Sequence, residues 1–204
     1  MNKIIVFDLD GTLITCMEKQ VMLLKYIASS NKVKIREPDF FWELKRNGSS
    51  TFESLKILGI SDDTAKVISQ EWVSEVEDWY WLTHDTLYQH VFDMLNALKN
   101  DNNKLYLLTA RKNVVNLYRQ LDQINLKSYF HDVIPVAHKN VIGNKNSFLK
   151  KVSCDLFIGD TETDYQATLG TRVKFIACTE GQRNRDFLTR NGVRFFLDES
   201  DKLF

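Results

Sequence analysis

Residues 4–12 read Ile4-Ile5-Val6-Phe7-Asp8-Leu9-Asp10-Gly11-Thr12, an apolar run that ends in two aspartates, a glycine and a threonine. A continuous apolar run without alternation is typical of a strand buried on both faces, as in a parallel sheet. The Asp-Gly pair predicts a sharp turn, because glycine adopts backbone conformations that other residues avoid. We therefore expect a buried strand near the start of the chain, with two carboxylates just beyond its carboxyl end.

Similar apolar runs recur along the chain, separated by stretches with helical periodicity. They span residues 105–108, 133–136, 156–158, 173–177 and, as a sixth candidate, 193–197. Between them, apolar residues spaced as on one helix face occupy 87–98 and 114–124. This alternation predicts an α/β fold with a doubly wound, Rossmann-like parallel sheet. Pro135 lacks an amide donor, so its strand is expected at the sheet edge.

The stretch from 15 to 82 carries helix signals and little else. Apolar stripes run through 17–27 and 65–79, and Ser50 and Glu53 have the spacing of a capping box. We therefore expect a small all-α domain at 15–82, inserted into a sheet-containing core made of 1–14 and 83–204.

Composition narrows the function classes. Lys plus Arg and Asp plus Glu number 27 each, so a polybasic nucleic-acid binder is not expected. Apolar runs are too short to span a bilayer, and the N-terminal residues do not resemble a signal peptide. The widely spaced Cys16, Cys154 and Cys178 are interpreted as free thiols. We expect a cytoplasmic protein, a monomer or weak homodimer, without nucleic-acid or membrane partners.

Polar residues follow several of the predicted strands. Asp8 and Asp10 come after the first, Thr109 after the second, and Asp160 and Asp164 after the fourth. In open parallel sheets the carboxyl ends of the strands meet at one crevice, so these side chains should lie together. Crowded carboxylates need a cation, and oxygen ligands favour Mg²⁺.

The motifs at these strand ends resemble those of the haloacid dehalogenase superfamily of phosphatases. Residues 8–12 look like the first motif and 108–111 like the second, while a lysine, Asp160 and Asp164 look like the third and fourth. The resemblance covers the whole chain. Some members carry a helical cap after the first strand, so the resemblance implies that 15–82 is such a cap and the remainder the catalytic core.

The resemblance implies roles for the aspartates. Asp8 would be the nucleophile that forms an aspartyl-phosphate, and Asp10 the general acid and then base. Mg²⁺ would bind Asp8, Asp160 and the backbone carbonyl of Asp10. Asp164 would be a further carboxylate, either bridged to the metal by water or orienting the lysine.

Other residues are candidates for holding the substrate. Thr109 and the backbone amide of Ala110 would hydrogen-bond a phosphoryl oxygen. The catalytic lysine would be Lys145, with Lys139 as the alternative. Lys45 and Arg46 in the helical domain would contact an anionic substrate or, as the more common meaning of such a run, form a solvated helix end. Arg111 is expected on the surface of the following helix.

The resulting prediction is a Mg²⁺-dependent phosphomonoester hydrolase acting on a small phosphorylated metabolite. A sugar phosphomutase of the same superfamily would keep the same aspartates, and sequence alone does not exclude it. A receiver module that accepts phosphate on an aspartate is the alternative from another class. A dehalogenase has no leaving alcohol to protonate, so Asp10 argues against one.

Overall fold

A computed structural model describes residues 2–197 of the protein as an α/β fold built on a parallel sheet. The strands are β1 Ile4–Phe7, β2 Ile14–Thr15, β3 Thr86–Leu87, β4 Lys104–Ala110, β5 Asp132–Val136, β6 Leu156–Gly159, β7 Lys174–Cys178 and β8 Phe196–Leu197. The helices are α1 Met17–Ser30, α2 Pro38–Arg46, α3 Thr51–Ile57, α4 Asp62–Glu75, α5 Trp79–Leu82, α6 Val91–Asn100, α7 Val114–Gln123, α8 Val141–Lys151, α9 Glu162–Thr168 and α10 Arg185–Arg190. A 3-10 helix spans Lys127–Tyr129.

Within residues 2–197 the main sheet has six strands in the order β5-β4-β1-β6-β7-β8, and every neighbouring pair is parallel. The predicted fold class and the predicted strands are confirmed, although the run at 193–197 contributes only its last two residues. Strand β5, which contains Pro135, lies at an edge as expected. The predicted core extends to residue 204, but Met1 and residues 198–204 lie outside the described residues.

Successive residues of β1 face opposite sides of the sheet. Ile5 and Phe7 pack in one apolar cluster with residues of α6 and α7, whereas Val6 packs in another with residues of α8, α9 and α10. Because both faces are covered by helices, the strand must be apolar throughout, which explains its unalternating sequence. The sheet is therefore doubly wound, and its carboxyl edge remains free for a site.

The segment predicted to be helical contains α1 to α5 and has its own apolar cluster, which includes the fully buried Leu24, Phe41 and Ile68. The capping box is present, since Ser50 Oγ accepts from Glu53 N and Ser50 N donates to the Glu53 side chain. The apolar stripe at 65–79 does not form one helix: α4 ends at Glu75 and α5 begins at Trp79.

Helices α1 to α5 are called the helical domain below. Two connections join them to the sheet, and these connections run side by side. Strands β2 and β3 pair antiparallel there, with Ile14 opposite Leu87. This small sheet was not predicted, because a strand of two residues is too short to show an alternation of apolar and polar residues. It fixes both connections beside the carboxyl edge of β1.

Two further expectations concern single features of the chain. The three cysteines, Cys16, Cys154 and Cys178, are buried and carry free thiols. Among the helices of residues 2–197, none has the length and hydrophobicity needed to cross a bilayer.

Candidate active site

Strand β1 ends at Phe7 and places Asp8 at the carboxyl edge of the sheet, and the turn that follows passes against Asp160 at the end of β6. Gly11 has a φ of +79°, in the left-handed region that favours glycine. A Cβ atom at Gly11 would also overlap the Asp160 carboxylate, so the turn passes directly against that side chain. The glycine in this motif is therefore needed for both its backbone conformation and its small size.

Three of the predicted carboxylates meet in one place. Asp8, Asp160 and Asp164 are buried, and one oxygen from each lies within 4.8 Å of the others. We call these three residues the acidic cluster. Asp160 Oδ2 accepts a hydrogen bond from Gln182 N at 2.6 Å, and Oδ1 accepts one from Thr12 Oγ1 at 3.4 Å.

Lys145, from α8, neutralises part of the negative charge of the acidic cluster. Its Nζ lies 2.7 Å from Asp8 Oδ1 and 2.6 Å from Asp164 Oδ1, and the residue is only 3% exposed. Burial lowers the pKa of a lysine, but the two carboxylates outweigh it and raise the pKa of Lys145 above its usual value. The structure thus brings Lys145 to Asp8, while Lys139 is exposed.

The acidic cluster holds more negative charge than Lys145 neutralises. Burial, joined by repulsion from Asp164, raises the pKa of Asp8 to about 7 despite the nearby ammonium group. Burial and the same like-charge repulsion raise the pKa of Asp160 well above its ordinary value. Two buried carboxyls that are difficult to ionise form a set of oxygen donors suited to a divalent cation.

A cavity of about 290 Å³ opens between the acidic cluster and the helical domain. Thr109, at the end of β4 and almost fully buried, lines it together with Ala110. The cavity is also lined by residues of the helical domain and of the segment leading into it: Cys16, Lys19, Gln20, Val76 and Glu77. Thr109 and Ala110, predicted to bind phosphate, therefore line an open cavity next to Asp8.

Asp10 also lines the cavity, but its side chain makes different contacts. Its carboxylate lies 2.7 Å from Arg111 Nη2 and 3.6 Å from Lys19 Nζ. The expectation that Arg111 is a surface residue of the next helix is wrong, because Arg111 is buried and precedes α7. Alternation along an extended strand places residues 109 and 111 on one side, and this signal was available in the sequence.

Lys45 and Arg46 are not brought to the cavity. Lys45 Nζ donates to Thr51 Oγ1, and the Arg46 guanidinium donates to the carbonyl of Thr179. Arg183 donates to the Lys45 carbonyl at 2.9 Å. Burial, with repulsion from Arg183, lowers the pKa of Lys45 to about 8. The two residues brace the helical domain against the loop after β7, and their role in substrate binding stays a prediction.

A second link between helical domain and core lies at the mouth of the cavity. Glu77 accepts from the amides of Lys112 and Asn113 at 2.8 and 2.9 Å, and lies 2.9 Å from His138 Nε2. Burial alone would raise the pKa of Glu77, but the hydrogen bonds from His138 and these amides lower it to about 2. No sequence signal indicated this contact, since its partners are distant in the chain.

Comparison with known proteins agrees with the geometry. Residues 5–178 match the family model of the haloacid dehalogenase-like hydrolases. The chain therefore belongs to the haloacid dehalogenase-like hydrolase family. No curated protein matches it.

Solved structures show the same fold at low sequence identity. A predicted phosphatase from Clostridium acetobutylicum is 18% identical with a TM-score of 0.74, over 100% of this chain and 96% of that one. A haloacid dehalogenase-like hydrolase from Streptococcus pneumoniae is 18% identical with a TM-score of 0.75, over 98% and 94%. A predicted phosphoglycolate phosphatase from Haemophilus somnus is 16% identical with a TM-score of 0.72, over 97% and 94%.

Proposed function

We propose that the protein is a Mg²⁺-dependent phosphomonoesterase that hydrolyses the phosphate ester of a small metabolite through an aspartyl-phosphate. The observation that carries the proposal is the position of Asp8, 2.7 Å from Lys145 Nζ and within the acidic cluster. Membership of the hydrolase family supports it. The nearby 290 Å³ cavity suits a small substrate.

The donor set fits a magnesium ion. Asp8, Asp160 and the backbone carbonyl of Asp10 would hold it, and when bound it supplies positive charge that offsets repulsion between nucleophile and phosphate. Both oxygens of Asp164 have short contacts, with Lys145 Nζ at 2.6 Å from Oδ1 and Thr161 Oγ1 at 2.6 Å from Oδ2, whereas Asp160 Oδ1 has only the 3.4 Å contact with Thr12. These contacts favour Asp164 as the residue that orients Lys145 over Asp164 as a direct ligand.

In the first step, a carboxylate oxygen of Asp8 attacks phosphorus in line, and the bond from phosphorus to the ester oxygen breaks. Asp10 donates a proton to that leaving oxygen, which departs as an alcohol. In the second step Asp10 removes a proton from water, whose oxygen attacks phosphorus. The bond to Asp8 then breaks, which releases inorganic phosphate and restores the carboxylate.

The remaining residues bind and orient the phosphoryl group. Thr109 Oγ1 and the amide of Ala110 would donate to its oxygens, and Lys145 would offset the charge that develops there. We also propose residues 15–82 as a cap over the catalytic core of 1–14 and 83–204. The positions of Val76 and Glu77 on the cavity wall support this division, since a cap there would exclude water from the reaction.

The test is phosphate release by the purified protein from a panel of esters, with Mg²⁺ and with a chelator. The panel includes p-nitrophenyl phosphate, sugar phosphates, nucleotides and phosphoglycolate, the last because of the Haemophilus neighbour. We expect turnover that requires Mg²⁺ and is abolished by Asp8→Asn but not by Asp93→Asn, an exposed aspartate on α6. Turnover that survives Asp8→Asn or chelation would overturn the proposal, and transfer to a sugar hydroxyl outrunning hydrolysis would show a mutase instead.

A further inference from the structure

Five polar side chains form a closed ring beside the cavity, which we call the Asp10 ring. Besides Asp10 it contains Arg111, Gln120, Asp85 and Lys19, and these four are at most 6% exposed. Asp10 is the most accessible member, with 18% of its side chain exposed. The ring and the acidic cluster share no side chain, although Asp8 and Asp10 line the same cavity.

Four links of the ring are hydrogen bonds, and the fifth is a longer ion pair. Arg111 Nη2 donates to Asp10 Oδ1 at 2.8 Å and to Gln120 Oε1 at 3.1 Å. Gln120 Nε2 donates to Asp85 Oδ2 at 3.0 Å, which also accepts from Lys19 Nζ at 2.7 Å. Lys19 Nζ lies 3.6 Å from Asp10 and closes the ring. Two carboxylates face two cations, so the formal charge of the ring is balanced.

The ring joins four separate parts of the fold to Asp10. Lys19 belongs to α1, the first helix of the helical domain, and Asp85 to the connection that returns to the sheet. Gln120 lies on α7, and Arg111 follows β4. Buried networks of this kind permit few alternative side-chain arrangements, because breaking one link leaves a desolvated polar group.

The ring is not optimised for stability. In the described part of the chain, Arg111 Nε and Asp85 Oδ1 are buried without a hydrogen-bond partner. Unpaired buried polar atoms cost free energy, and apolar residues of similar volume would avoid that cost. A role in setting the position of Asp10 gives a reason for keeping five polar groups here.

We propose that Arg111 and Lys19, held in place by Gln120 and Asp85, are positioning residues that keep the Asp10 carboxyl facing the leaving oxygen of the substrate. The inference rests on the proposed function, because it takes Asp10 as the acid of that reaction. Lys19 lies in α1, and Asp85 lies in the connection that returns to the sheet. The ring therefore couples the position of the helical domain to the position of Asp10.

The dependence on the leaving group separates positioning of the acid from a general structural role. An alkyl ester needs a proton on its leaving oxygen, whereas p-nitrophenolate departs as an anion with little help. The ratio kcat/KM covers only steps up to departure of the leaving group when that departure is irreversible. The later role of Asp10 as base therefore does not affect the comparison.

The experiment measures kcat/KM for p-nitrophenyl phosphate and for an alkyl phosphate turned over by the wild type, in two variants. Gln120→Leu removes the link between Arg111 and Asp85 without touching Asp10. Arg111→Lys keeps a cation but shortens its reach. We expect kcat/KM to fall about tenfold or more for the alkyl ester and less than about threefold for the aryl ester, within the range that positioned proton transfer contributes.

Asn31→Ala is the matched control, because Asn31 makes a polar link between α1 and Glu71 of α4, away from the Asp10 ring. Its ratio of aryl to alkyl kcat/KM should equal that of the wild type, and melting temperatures show whether each variant folds. Equal losses on both esters, or no loss in either folded variant, would overturn the positioning role. A wild type that hydrolyses neither ester would instead refute the proposed function.

Discussion

The ammonium nitrogen of Lys145 lies 2.7 Å from Asp8 Oδ1, although the two residues are 137 positions apart in the chain. The contact forms because β1 occupies the middle of the sheet and α8 packs beside its carboxyl end. A buried carboxylate and a buried ammonium group have each lost most of their hydration, so each depends on the other for stabilisation. The pair therefore links the fold of the core directly to the proposed nucleophile.

Replacing Lys145 with methionine should remove both the phosphoryl contact and the compensating charge. We expect kcat to fall about 100-fold or more, as for loss of one electrostatic stabiliser of a transition state. Without metal, the free energy of unfolding should fall by about 3 kcal/mol, because Asp8 and Asp164 lose their buried partner. Steady-state kinetics and urea unfolding measure the two effects.

Lys139→Met is the matched control for this variant, since Lys139 is exposed and was the alternative candidate. Its kcat and stability should stay near those of the wild type. If the Lys145 variant kept kcat within threefold while the Lys139 variant lost activity, the assignment of the lysine would be reversed.

Magnesium should stabilise the folded protein. At about 100 times its Kd the ion adds about 2.7 kcal/mol, which for a chain of this size raises the Tm by about 5–10 °C. Asp160→Asn should abolish this rise, and without metal it should leave the Tm unchanged or higher, because a buried like charge is removed. Thermal melts with and without Mg²⁺ test both statements. Asp122→Asn, at an exposed aspartate, should retain the full rise.

Most of the sheet was predictable from the sequence, for a physical reason. Strands buried on both faces must be apolar throughout, so runs such as 4–7 and 105–108 stand out without reference to the rest of the chain. The break between α4 and α5 was not predictable in this way. The apolar stripe continues through Val76 and Trp79, while the helix itself stops at Glu75.

The same division applies to the candidate site. Asp8, Thr109 and Asp160 could be placed at one edge of the sheet because parallel strands bring their carboxyl ends together, which needs no knowledge of side-chain direction. Asp85 and Gln120 were not predicted as members of the site. Their contacts join elements that are distant in the chain, and no sequence pattern indicates that these elements meet. These contacts can be recognised only once the positions of helices α1 and α7 relative to Asp85 are known.

Without metal, stability should fall as the pH rises through neutrality. The pKa of Asp8 is raised from 3.8 in an unfolded chain to about 7, so the folded state holds this proton more tightly. The stabilising contribution is complete below about pH 4 and is lost as the pH approaches and passes 7. Asp160 acts in the same direction.

The measurement is the Tm of the protein between pH 5 and pH 8, with a chelator present to remove metal ions. Asp8→Asn should make the decline shallower, because asparagine does not titrate. Saturating Mg²⁺ should reduce the decline in the wild type. An equally steep decline in the Asp8→Asn variant would assign the effect to other groups.

Glu77 should show the opposite pH dependence. Its pKa is lowered from 4.5 to about 2, so its contribution is complete above about pH 4.5 and is lost as the pH falls towards 2. Glu77→Gln should lower the Tm at pH 7, and the difference from the wild type should narrow between pH 5 and pH 3. Hydrogen exchange in α5 should also be faster in the variant, since the link to residues 112–113 is weakened. Glu75→Gln, at the end of α4, is the control.

Gly11→Ala should have two effects: it should strain the backbone, and it should also disrupt the acidic cluster. At a φ of +79° any side chain is strained, and the new Cβ atom would also overlap Asp160 Oδ2. Gly170 has a φ of +70° with no heavy atom within 4 Å of such a Cβ, so Gly170→Ala is strained in the same way without the overlap. We expect both variants to lose about 1–2 kcal/mol from the left-handed conformation. Only Gly11→Ala should also lose the Mg²⁺-induced rise in Tm and the turnover of phosphate esters, because Asp160 must move. Equal responses to Mg²⁺ in the two variants would show that the close approach of the turn to Asp160 is not needed for the metal site.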